Sequence, residues 1–190
     1  LAHMKFCFLC VLFTTSILIS SDKAQLFPSA LMKHETQWLM KVLEQAHYNK
    51  VSIEDLNSTD FINKFLGKLD KQKLYFTNDD VNEFHKKYSK TIKTHLQQGN
   101  LLPGFEIYNS YKTKAISRLS WVLKEIEKKP TLFSDQNYTA DRGASTWASS
   151  KESLDPIWNK LIQSEYIKEV MQQIDTNVSV FDSESKDLPN

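Results

Sequence analysis

Cysteine is almost missing from this chain. It has two, Cys7 and Cys10, and both lie in one apolar stretch near the N-terminus. Their C-x-x-C spacing could suggest redox or zinc chemistry, but a membrane-embedded, removable segment hosts neither. Once that stretch is removed, no thiol remains for a nucleophile, a disulfide or a thiolate metal site. Glycine and proline are also scarce, at four and five residues, which predicts long regular elements. Neither sign of charge dominates, since 24 Lys and Arg against 23 Asp and Glu leave a formal net charge of +1. Pairs such as Lys86-Lys87 and Lys128-Lys129 read as solvated helix faces, and a nucleic-acid partner is excluded on that ground. The longest apolar run, Phe6 to Ile19, has about 14 residues, short of the ~20 that a membrane-spanning helix needs.

That run reads as a secretory leader. Lys5 supplies its positive start, Met4 reads as the initiator, and Leu1-Ala2-His3 as upstream readthrough or a vector scar. Ser20, Ser21 and Ala24 are small residues near a plausible cleavage point. They form no clean small-x-small pair, so an uncleaved anchor in the inner membrane is the alternative. The expected organisation is a leader over residues 1–24, a helical domain over 25–175 and a frayed polar tail over 176–190.

The full chain of 190 residues is 41% hydrophobic and 12% aromatic, enough for one packed domain. Such a domain buries roughly 70% of the surface its unfolded chain exposes. The fold class expected is all-α, with about five helices in an irregular bundle. Residues 31 to 48 place Leu31, Leu39, Val42, Leu43 and Ala46 on one face, with Trp38 at its edge. Asn57, Ser58 and Thr59 offer caps for a second helix carrying Phe61, Ile62, Phe65, Leu66 and Leu69. Thr77 caps a third, whose apolar period runs Val81, Phe84, Tyr88, Ile92 and Leu96, and Gly99-Asn100 ends it. Pro103 opens a fourth helix that turns Phe105, Tyr108, Tyr111, Ala115, Leu119, Val122, Leu123 and Ile126 inward, and Pro130 stops it. Residues 131 to 152 read as a polar loop. Asp155 as cap and Pro156 at the first helical position start a fifth helix through Trp158, Leu161, Val170 and Ile174. No alternating run supports a sheet.

A search for chemistry returns little. His34, His47, His85 and His95 lack the spacing of paired helical metal ligands, and no H-E-x-x-H occurs. Gly67-Lys68 lacks the rest of a phosphate loop. Gly143-Ala144-Ser145-Thr146 lacks the second glycine and the preceding strand of a nucleophile elbow. Asp79-Asp80 sits at a helix start and reads as a dipole partner rather than an acid–base pair. Asn57, Asn137 and Asn177 occupy N-x-Ser/Thr sequons that carry no meaning in a bacterial chain. Phe105, Tyr108 and Tyr111 read as core. Trp147 and Trp158 bracket the polar loop, either pinning it or forming a docking patch. No catalytic, cofactor-binding or metal-binding residue is predicted.

One pattern is more specific. From His47 to Phe84 an aromatic His-Tyr pair leads into a short connector. An apolar helix then ends at Leu69-Asp70, and the Tyr75-Phe76 turn launches a helix at Thr77. With Glu35-Thr36, Asp80-Val81, Phe105-Glu106-Ile107-Tyr108, Asp141-Arg142, Trp147, and Trp158 with Lys160, this order resembles the N-terminal helical domain of the tail-specific (carboxy-terminal processing) proteases. The resemblance spans roughly residues 31 to 170.

It implies a scaffold. In that family the helical domain precedes a peptide-binding PDZ domain and a protease domain with a serine/lysine dyad, and helps form the vessel that receives substrate. No PDZ segment or catalytic Ser or Lys region follows residue 175. The chain as given is therefore expected not to be an enzyme, and a gene fragment is expected over a free-standing domain. The partners implied are those PDZ and protease domains, an adaptor lipoprotein or a second copy, with protein substrates reached only through the full-length enzyme. The implied location is the periplasm. The alternative is a free-standing periplasmic interaction module, an adaptor or inhibitor.

Overall fold

The computed structural model of this protein describes residues 24–46, 52–128 and 137–185. The leader with Cys7 and Cys10, the His47-Tyr48 pair and the Pro130 stop lie outside the described residues. Among the described residues six helices form: α1 (Ala30–Gln45), α2 (Ser58–Leu69), α3 (Asn78–Tyr88), α4 (Ile92–Gln97), α5 (Leu102–Glu127) and α6 (Lys151–Ser185). A 3-10 turn, Ile53–Asp55, precedes α2, and no strand occurs among the described residues. The fold is all-α, as the sequence predicts.

Side chains set the helix starts. Asn57 accepts from the Asp60 N–H at α2, and Ser29 accepts from Met32 N–H at α1. Thr77 and Asp80 form a full capping box at α3. Asp80 thus serves the helix start in the way the sequence suggests.

The boundaries differ from expectation at three places. The expected third helix is two, because the chain turns through Ser89, Lys90 and Thr91. There the Thr91 N–H bonds to the Tyr88 carbonyl instead of one residue further back, and the Thr91 hydroxyl bonds to the Lys87 carbonyl. The apolar spacing survives the turn, which is why periodicity does not reveal it. Next, α6 starts at Lys151 rather than at Asp155. Ser150 and Ser153 cap it reciprocally, each hydroxyl accepting from the other's N–H at 3.3 and 2.9 Å. Pro156 therefore lies inside the helix, where its missing N–H leaves one turn without a backbone bond. Last, the buried face of α5 is rotated. Pro103, Ile107 and Arg118 are its buried residues, while Tyr108, Leu119 and Ile126 are exposed.

Two apolar clusters hold the bundle. The first joins α2, α3 and α5 through Ile62, Leu66, Phe76, Val81, Phe84 and Ile107. The second joins α5, α6 and the turn before α3 through Leu154, Trp158, Trp121, Tyr75 and Leu161. Fully burying a side chain of this size is worth about 1.5–3 kcal/mol. A parallel bridge ties Thr77 to Ala148, with the Asn78 N–H donating to the Ala148 carbonyl at 2.8 Å. It closes the polar loop onto the start of α3.

No residue of α1 is buried, so the apolar face expected there does not join the core. This helix packs on the short α4. Gly99, which ends α4 at φ +67°, makes that approach possible, because a Cβ there would run into the Lys33 carbonyl oxygen.

Candidate functional site

A groove of about 810 Å³ opens between α5 and the start of α6. Tyr75, Lys114, Arg118, Trp121, Lys151 and Asp155 stand in its wall. Arg118 is its central cation and is only 5% exposed. Its Nη1 donates to Asp155 Oδ1, and Nη2 donates to the Lys151 carbonyl at 3.4 Å. The guanidinium also lies 4.8 Å from the Trp121 ring centre and 5.9 Å from that of Trp158. Asp155, read from sequence as a helix cap, is instead the counter-ion of this buried arginine. At the groove's other end Lys114 pairs with Asp80 at 2.9 Å.

The Ser120 hydroxyl donates to the Ile116 carbonyl at 3.0 Å. The groove combines the aromatic side chains of Tyr75 and Trp121 with two ion pairs, Arg118–Asp155 and Lys114–Asp80.

The Tyr75-Phe76 turn behind it is held by one carboxylate. Asp70 is 1% exposed. Its Oδ1 accepts from the Leu74 N–H at 2.8 Å, and its Oδ2 accepts from Tyr75 and Phe76 N–H at 2.9 Å each. The turn backbone is thereby satisfied without a sheet or helix. Burial, then the nearby Tyr111 and Asp70, push the Tyr75 phenol above its usual value.

The polar loop is pinned, which resolves the choice left by Trp147 and Trp158. Trp158 Nε1 donates to the Leu74 carbonyl at 2.8 Å, and its ring meets Tyr75 edge-on at 5.5 Å. Trp147 meets Phe76 at 6.2 Å, under the Lys73 ammonium. Lys73 also donates to the Gly143 and Ser145 carbonyls. Those bonds, with Asp141 accepting from the Gly143 N–H at 2.9 Å, account for the Gly143–Thr146 stretch as loop geometry. The Gly143 bond is also the main reason the Asp141 carboxyl sits below its usual range.

A third polar cluster joins α3 to α5. Glu106 accepts from both Lys87 and the Tyr88 hydroxyl. The Lys87 bond first, then that of Tyr88, holds the Glu106 carboxyl below its usual range, and the same contact raises Lys87. Burial, then the Glu106 bond, raises Tyr88.

The histidines lie apart. His85 bonds Asn63 at 2.8 Å and Ser89 at 3.2 Å, and His95 bonds Asn100 at 3.0 Å. Among the described residues no group of three or more His, Cys, Asp or Glu could hold a metal ion. No helix among them is long and apolar enough to cross a membrane.

Sequence reading missed Asp70 and Arg118 as anchors. Asp70 was visible only as a helix end, although an Asp just before a tight turn often bonds the backbone ahead of it. Arg118 falls on the row Pro103, Ile107, Tyr111, Arg118, which the aromatic-led phase for α5 passed over.

Comparison with known proteins closes the description. A family model described as the tail specific protease N-terminal domain matches residues 39–188. A curated protein named tail-specific protease, from Haemophilus influenzae, is 24% identical over 125 residues, which is 66% of this chain and 18% of that protein. The chain thus spans less than a fifth of the length of that relative.

Proposed function

This chain belongs to the tail-specific protease N-terminal domain family, and from that premise we propose that it is a noncatalytic helical scaffold of a periplasmic tail-specific serine protease. Its task is to position the PDZ and protease domains that bind and cut substrate. The observation that carries this reading is a division of labour among side chains. Two cations of the groove are held by carboxylates, Arg118 by Asp155 and Lys114 by Asp80. Large apolar side chains stand in solvent on α1 and α5, Trp38 at 67% and Leu119 at 50% exposed. Exposed apolar patches of this kind mark interaction surfaces. Peptide-bond cleavage in such a protease belongs to a Ser/Lys dyad outside the described residues.

Three measurements test the proposal. The purified chain, given an unfolded protein with an apolar C-terminus, should leave it intact, and serine-dependent cleavage would overturn the noncatalytic reading. Co-expressed with the PDZ and protease portion of a tail-specific protease from the same cell, it should co-purify with that portion. Association only with the intact protease would favour an adaptor or inhibitor instead. Fractionation of the producing cell should place the chain in the periplasm, as the Phe6–Ile19 leader suggests.

A further inference from the structure

Ahead of α1 the chain forms an extended strap that lies on α5 and runs against its direction. Asn109 grips the strap twice. The Leu26 N–H donates to Asn109 Oδ1 at 2.9 Å, and Asn109 Nδ2 donates to the Leu26 carbonyl at 2.8 Å. Nearly one helical turn further along α5, Lys112 Nζ donates to the Ala24 carbonyl at 3.3 Å. Phe27 shares a cavity wall with Leu102 near the start of α5, whereas Ala24 shares one with Ile116 and Ser117. Going backward along the chain, the strap therefore heads toward the C-terminal half of α5.

That half carries an apolar seam. Ile116, Leu119, Leu123 and Ile126 are 40, 50, 38 and 38% exposed. They repeat at alternating steps of three and four, the spacing by which one helix receives another. The seam lies roughly 120° around α5 from the face that carries Ile107 and Arg118 into the core.

The sequence just upstream of the strap is the apolar run Phe6–Ile19, followed by Ser20-Ser21-Asp22-Lys23. We propose that this run, for as long as it stays attached, docks on the Ile116–Ile126 seam of its own chain. The lengths agree. At 1.5 Å per residue the seam is about 15 Å long, and a helix made from the run would be about 21 Å. The four-residue connector reaches about 13 Å when extended, more than the ~6 Å rise from Lys112 to Ile116. The run carries no charged residue between Phe6 and Ile19, so it meets an apolar seam without burying a charge. Removal of the run, or its insertion in a membrane, then uncovers the seam for the next partner. This goes beyond the scaffold reading and rests on the strap, not on family membership.

The chain's own cysteines make the test direct. Leu119→Cys or Leu123→Cys is placed in the full-length chain, which carries Cys7 and Cys10 in the run. Mild oxidation with copper phenanthroline in lipid-free buffer is followed by peptide mapping. Intramolecular links from either seam position to Cys7 or Cys10 should form at least ten times faster than links from Glu83→Cys, an exposed site on α3. Equal rates at all three sites would overturn the proposal. Links that join the seam positions of two chains would assign the seam to a second copy instead. As a second readout, thiol alkylation of Cys7 and Cys10 should speed up at least fivefold when Leu119→Glu and Ile126→Glu charge the seam. Unchanged alkylation would also overturn it.

Discussion

Two tryptophans separate the two halves of this molecule. Trp158 is 6% exposed and Trp38 is 67% exposed, yet both sit on amphipathic helices with similar apolar spacing. The difference lies in what each helix packs against. Trp158 meets a turn whose backbone is already fixed by Asp70, so its indole N–H finds the Leu74 carbonyl and its ring finds Tyr75. Trp38 is on α1, which packs on the short α4 and buries no residue. An apolar stripe states that a face can be buried, whereas a fixed polar anchor opposite it decides whether it is. Asp70 does this for both clusters at once, because the turn it holds sends Phe76 into the first and Tyr75 into the second.

Removing that anchor should have the largest effect. Asp70→Ala leaves three N–H groups without their charged acceptor, and all three residues concerned belong to the clusters. A loss of about 3–5 kcal/mol is expected in urea unfolding followed by circular dichroism. Asp70→Asn keeps one acceptor oxygen and should lose about half as much. An Asp70→Ala protein within about 1 kcal/mol of the parent would show that the turn is held by its aromatic rings alone. Next comes Trp158→Phe, which keeps most of the ring but leaves the Leu74 carbonyl without its donor. A loss of about 1–2 kcal/mol is expected in the same assay.

Much of this contrast was legible beforehand, but only where local chemistry and the final contacts coincide. Asn57 and Thr77 act within a few residues of themselves, as does Gly99 in ending α4, so these roles could be read directly from sequence. Trp147 and Trp158 announced themselves by size, though not by direction. Periodicity alone misled at α5, where Tyr108 and Leu119 fit the stripe as well as Ile107 and the buried residue between them is an arginine. It also bridged the break after Tyr88, because Ile92 continues the apolar row across a turn. Asp155-Pro156 has the form of a helix start, but the Ser150–Ser153 pair captures the N–H groups one turn earlier and releases Asp155 for Arg118. The groove's charge pairs span more than thirty residues of sequence, and no short-range rule reports them.

A smaller effect separates buried from exposed electrostatics. Glu106 has its folded value depressed, chiefly by the Lys87 bond, from an ordinary 4.5. A depressed carboxyl contributes its stability above the unfolded value and loses it as pH falls through the folded one. Its side chain is 38% exposed and that of Lys87 is 55% exposed, so solvent screening limits the contribution to about 0.5 kcal/mol. Glu106→Gln should therefore flatten the loss of stability below pH 4.5 and remove part of its salt dependence. The raised Lys87 acts in the opposite direction, since its contribution is complete below its ordinary 10.5 and lost only at strongly alkaline pH. An acid limb that Glu106→Gln leaves unchanged would place the titrating carboxyl elsewhere.

The smallest effect belongs to the other tryptophan. Trp38→Ser should change unfolding free energy by no more than about 0.5 kcal/mol, as exposed substitutions usually do. The side chain already faces water, so the folded state loses little burial that the unfolded state lacks. Trp38 should also be readily quenched by iodide, while Trp158, packed between Arg118 and Tyr75, should be protected. A cost above about 1 kcal/mol, or protection of Trp38 from iodide, would mean that the α1 face is covered in solution. The measurement therefore reads directly whether the outer face of α1 is a free docking surface or an occupied one.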